Sequence, residues 1–61
     1  MSDYDFLLNL KGHFVQYYVD DFSLETNQAH IIEVSKRSFY VSHPDKGSVE
    51  VPLSRLILVI Q

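Results

Sequence analysis

The stretch Ser48-Val49-Glu50-Val51-Pro52-Leu53-Ser54-Arg55-Leu56-Ile57-Leu58-Val59-Ile60 joins two different kinds of strand through a turn. Val49, Val51 and Leu53 alternate with Glu50, Pro52 and Ser54, the period of a strand with one buried face. Pro52 has no N–H for a ladder hydrogen bond, so it belongs at a strand end or edge, and Pro52–Arg55 reads as a tight turn. Leu56–Ile60 contains no polar residue. Continuous apolarity marks a strand covered on both faces. In a very small domain a terminal strand reaches that state by insertion or by pairing with a neighbour.

The pattern continues upstream. His43-Pro44-Asp45-Lys46-Gly47-Ser48 is the clearest turn, with Pro, Asp and Gly each suited to turn geometry. Phe39-Tyr40-Val41 precedes it as a strand, and Ser35-Lys36-Arg37-Ser38 is a polar break. Leu24–Ser35 reads as a longer strand with His30, Ile32 and Val34 on one face, and a bulge or bend is expected at Asn27-Gln28. His13–Asp20 is a strand with Val15, Tyr17 and Val19 on one face and Phe14, Gln16 and Tyr18 on the other. Asp20-Asp21 starts a turn. Residues 3–11 read as a short helix: Asp3 and Asp5 suit its first turn, Phe6, Leu7 and Leu10 share a face, and Gly12 stands where helices end. An extended Phe6–Leu10 segment remains the other reading of so short a stretch. The fold class is therefore mostly β: one domain spanning residues 1–61, a small five-stranded bent-sheet barrel with a short N-terminal helix, its strands drawn from residues 12–61.

Sixty-one residues, 46% of them hydrophobic and none of them cysteine, set the energetic frame. A chain this short buries only about 60% of its unfolded surface. Small domains usually need a disulfide, a metal or a partner subunit, and without cysteine the favoured staple is oligomerisation. The net charge is −3, so no whole-molecule attraction to nucleic acid is expected. No apolar run is long enough to span a membrane. The acidic start, Met1–Asp5, is unlike a secretion signal, and the expected location is cytoplasmic.

Two segments carry a family likeness. Phe6-Leu7-Leu8-Asn9-Leu10-Lys11-Gly12-His13-Phe14-Val15 resembles the entry from helix to first strand of the Sm/LSm family, which includes the bacterial Hfq proteins. Ser48–Val51, a short turn and Leu56–Ile60 resemble that family's second sequence motif. The resemblance implies a homo-oligomeric ring of roughly five to seven copies, in which the fourth strand of one subunit pairs with the fifth of the next. Val49, Val51, Leu56, Leu58 and Ile60 are then the expected interface. The loop residues depart from the family pattern. Lys36 stands where the family has an acid, Tyr40 where it has Asn, and Pro52-Leu53-Ser54 replaces its Arg-Gly-Asn/Asp turn. Uridine recognition of the family's usual kind is therefore not implied.

The remaining chemistry is sparse. His13, His30 and His43 share no ligand spacing, and no metal or cofactor is expected. Asp20, Asp21 and Glu25 lack the pattern of a calcium loop. The serines sit in turns without a nucleophile elbow, so no catalytic residue is assigned and the chain is expected not to be an enzyme. Lys36 and Arg37 beside Phe39 and Tyr40 form the candidate nucleic-acid contact, since cations hold phosphates while aromatic rings stack bases. In a ring, Arg55 is expected to join them at the pore. The function expected is a ring-forming binding module with RNA or single-stranded nucleic acid as ligand. The other reading is a protein-interaction adaptor on an SH3-like barrel, contacting peptides through Tyr17, Tyr18 and Tyr40.

Overall fold

The computed structural model describes residues 3–61. Asp3–Leu10 forms helix α1, with Asp3 and Asp5 in its first turn, where carboxylates meet the positive end of the helix dipole. Of the three residues expected on its inner face, Leu7 and Leu10 are buried and Phe6 is 48% exposed. A helix of two turns presents only a narrow stripe to the sheet. Gly12 ends it with φ +89°, a backbone region in which only glycine is unstrained. The His13 N–H donates to the Leu10 carbonyl, and the Gly12 N–H donates to the Ile31 carbonyl at 2.8 Å, which fixes the helix end to the sheet.

Five strands follow: β1 (Phe14–Tyr18), β2 (Thr26–Val34), β3 (Ser38–His43), β4 (Gly47–Pro52) and β5 (Leu56–Val59), with a 3-10 turn over Leu53–Arg55 between the last two. All pairings are antiparallel. The sheet order is β4-β3-β2-β1-β5, so the sheet is bent and unclosed, with β4 and β5 as its two edges. These edges are consecutive in sequence and joined by only three residues. That connection spans on the order of 8 Å at 3-10 rise. The sheet must therefore curl until its first and last strands approach at one end.

The core consists of Leu7, Leu10, Val15, Tyr17, Ala29, Ile31, Val34, Phe39, Val41 and Val51. Val15 and Tyr17 are the expected inner face of β1, and the Tyr17 and Phe39 rings meet edge to face at 6.2 Å. β2 departs from its expected face. Ile31 is 1% exposed and Ile32 is 45% exposed, while His30 is exposed. The register slips between Ile31 and Glu33, so the strand changes face there and returns Val34 to the interior. The bulge therefore lies at Ile31–Glu33. Asn27 and Gln28 keep regular pairing with Tyr17 and Gln16. The turn between β3 and β4 forms as expected: Gly47 takes φ +78°, and His43 Nδ1 accepts the N–H groups of Asp45 and Lys46.

β5 is the least covered strand. Leu58, Val59 and Ile60 are 46%, 41% and 39% exposed. It is tied to β1 through the Ile60 N–H donating to the Phe14 carbonyl at 2.7 Å. His13 Nδ1 lies 2.8 Å from the Gln61 carbonyl oxygen. Among the described residues, no helix is long and apolar enough to cross a membrane.

Candidate functional site

Lys36 and Arg37 occupy the turn between β2 and β3. The turn is closed by the Ser35 N–H donating to the Ser38 carbonyl at 2.9 Å. Beneath it the Ser35 and Ser38 hydroxyls lie 2.7 Å apart, and Ser38 donates to a Glu50 carboxylate oxygen at 2.6 Å. This chain of polar contacts links the turn to β4 and holds its backbone while both cationic side chains stay in solvent.

The two cations sit at the mouth of an open cleft of about 670 Å³, lined by Asp3, Tyr4, Val34, Ser35, Lys36 and Arg37. Sequence reasoning missed Tyr4. The helix folds back over the end of β2 and brings this ring, 42% exposed, beside residues more than thirty positions away. The only signal was the i, i+3 spacing of Tyr4 from Leu7, and that alone names no partner. A second hollow of about 430 Å³ adjoins it, sharing Asp3 and Arg37 and adding Pro52, Leu53 and Ser54. The Leu53 N–H donates to the Arg37 carbonyl at 2.9 Å, so the β2–β3 and β4–β5 turns lie side by side.

Of the five cations in the chain, Lys11 is paired with Glu33 at 3.3 Å and Arg55 with Asp21 at 3.0 Å. Lys46, in the turn between β3 and β4, makes no ion pair among the described residues, and neither do Lys36 and Arg37. Lys36 and Arg37 are thus adjacent cations whose charge is open to an anionic ligand.

The other expected site residues are dispersed. Arg55 grips Asp21 through Nε at 3.0 Å and a terminal nitrogen at 3.3 Å. It lines a different hollow, with Tyr18, Asp20 and Leu24. The guanidinium holds the Asp21 carboxyl below its ordinary value, and Asp21 raises Arg55 in return. Phe39 is fully buried and offers no surface to a ligand. Tyr40 is half-buried on the outer side of the sheet, opposite Glu33 in β2 and Glu50 in β4. That flanking repels a phosphate. Glu33 is itself held below its ordinary value, first by the Val34 N–H and then by Lys11.

The expected interface residues divide similarly. Val51 is 1% exposed and belongs to the core. Val49 and Leu56 pack against the core from the rim, and Leu58 and Ile60 remain exposed. Among the described residues no three His, Asp or Glu side chains converge as a metal site would require.

No protein-family model matches the chain, and no curated protein or solved structure matches it either. The chemistry of the cleft therefore rests on its own residues: two open cations, the Asp3 carboxylate beside them, one accessible aromatic ring and the rim of Val34.

Proposed function

We propose that this chain is a non-enzymatic, LSm-like binding module that assembles into a homo-oligomeric ring and holds single-stranded nucleic acid, RNA foremost, at the Lys36–Arg37 cleft. The strand order carries this reading. It leaves β4 and β5 as the two free edges, and pairing the β4 edge of one copy with the β5 edge of the next satisfies both. The same step covers Leu58, Val59 and Ile60, which one copy leaves exposed. In the cleft, Lys36 and Arg37 hold phosphates and Tyr4 stacks a base. The like turn of every copy then faces one side of the assembly, which concentrates positive charge on an otherwise acidic protein.

Analytical ultracentrifugation tests the assembly, and a well-folded monomer at micromolar concentration overturns it. Fluorescence anisotropy with a labelled oligouridine tests the ligand. Binding is expected to weaken with salt and with Lys36→Ala and Arg37→Ala, each removing about one unit of the salt slope. Binding indifferent to both substitutions removes the assignment. A protein-interaction adaptor is the second reading, favoured by the exposed Phe22 and Leu24. It predicts no oligonucleotide affinity at moderate salt.

A further inference from the structure

The connection between β1 and β2 presents two apolar side chains to water: Phe22 is 96% and Leu24 86% exposed. The loop that carries them is fixed. Asp20 Oδ1 accepts the N–H groups of Phe22 and Ser23 at 2.8 and 2.9 Å. The Val19 N–H donates to the Glu25 carbonyl at 3.1 Å, and Asp21 is clamped by Arg55. A tethered loop that holds a phenyl ring in solvent leaves apolar surface for a partner to cover.

The loop's surroundings say what that partner looks like. Asp20, Asp21 and Glu25 flank the two apolar side chains, and Arg55 offsets one of the three charges. The complementary surface has an apolar floor and a cationic rim. The cleft of Tyr4, Val34, Lys36 and Arg37 offers apolar contacts and two cations, with Asp3 as the one anion of its lining. The loop and the cleft flank the same 3-10 turn. Leu53 at one end of that turn is bonded to Arg37, and Arg55 at the other end is bonded to Asp21. Both features therefore border that turn, although they precede and follow β2 in the chain. A two-fold axis beside the turn sets each loop against the other copy's cleft, the arrangement of an isologous interface.

We propose that the Phe22–Leu24 loop of one copy docks reciprocally into the Tyr4/Val34/Lys36/Arg37 cleft of a second copy. The contact requires neither nucleic acid nor edge pairing: it doubles whatever unit the sheet edges form, and it competes with any strand held in the same cleft.

The test is sedimentation equilibrium of the full chain and two double variants, with circular dichroism to confirm folding. Phe22→Ser/Leu24→Ser disables the loop and Lys36→Glu/Arg37→Glu disables the cleft; all four residues are exposed. The native chain is expected at twice the unit mass. Each variant alone is expected at unit mass, its self-association at least ~10-fold weaker. Equimolar mixing rebuilds one of the two loop–cleft contacts, so the mixture is expected to associate more weakly than the native chain. The proposal is overturned if the native chain and the loop variant share one mass up to millimolar concentration, or if the cleft variant keeps the mass of the native chain. The mass of the loop variant reports edge pairing separately, so failure of the ring leaves this test intact.

Discussion

Phe39 distinguishes a core residue from a ligand contact, and its replacement has a calculable outcome. The side chain is fully buried and meets Tyr17 edge to face. Phe39→Ala removes the transfer free energy of the ring and leaves a cavity, a change that costs about 3–5 kcal/mol in well-packed cores. A 61-residue chain at ~0.05–0.15 kcal/mol per residue has a total stability of roughly 3–9 kcal/mol. The alanine variant is therefore expected to be largely unfolded at the lower end of that range. Phe39→Leu keeps most of the volume and is expected to cost roughly 1–2 kcal/mol, which leaves a folded protein to assay. Urea unfolding followed by circular dichroism should show a lower midpoint with an unchanged slope. Oligouridine affinity measured well below that midpoint should equal that of the native chain. A Phe39→Leu protein with an unchanged urea midpoint and weakened oligouridine binding refutes the placement of this ring in the core.

Three further outcomes follow from the structure. Gly12→Ala should destabilise the fold by about 1–2 kcal/mol through its left-handed backbone alone, since no atom lies within 4 Å of the added Cβ; Gly12→Asn should recover part of the loss in the same urea assay. Asp20 and Asp21 are held below their ordinary value of 3.8, Asp20 chiefly by the Phe22 N–H and Asp21 chiefly by Arg55. A carboxyl depressed in the folded state stabilises it above the unfolded pKa and ceases to do so as pH falls through the folded one. Stability should therefore decline from about pH 4 downward, and less steeply in Asp20→Asn/Asp21→Asn, as followed by acid titration of the circular dichroism signal. Leu58→Lys should leave the circular dichroism spectrum intact, because the side chain is already 46% exposed, yet shift the sedimentation profile to smaller species by placing a charge on the β5 edge.

What the sequence disclosed and what it hid divide by range. Turns written in adjacent residues were legible: Pro44 to Gly47 specifies its own geometry, and Pro52 places the break before the 3-10 turn. So was the alternation that buries Val15 and Tyr17. The β2 face was not, because a bulge changes which residues point inward without leaving a local mark, and Ile31-Ile32 is apolar on either face. The helix was ambiguous for a related reason, since eight residues fit two periods nearly equally well. In the cleft, Lys36 and Arg37 stood out as adjacent cations. Tyr4 and the removal of Arg55 by Asp21 depend on contacts across more than thirty residues, which only the folded chain creates.

The two sheet edges differ in a way that bears on assembly. β4 carries Glu50 on its outer side and ends at Pro52, two features that discourage indiscriminate pairing of an exposed edge. β5 carries no charge and no proline, and its apolar side chains are the exposed ones. A protected β4 edge is tolerated open, so the unprotected β5 edge is the one that gains from pairing, either with the β4 edge of the next copy or with another β5 edge in a two-fold dimer. Pairing of unlike edges is heterologous, and heterologous contacts close into rings or run on as filaments. The curl imposed by the three-residue link between β4 and β5 sets the angle between the two edges of one copy, and the proposed ring requires each added copy to repeat one rotation. Sedimentation separates the outcomes: a dimer marks β5–β5 pairing, and a mass of roughly five to seven copies marks pairing of unlike edges.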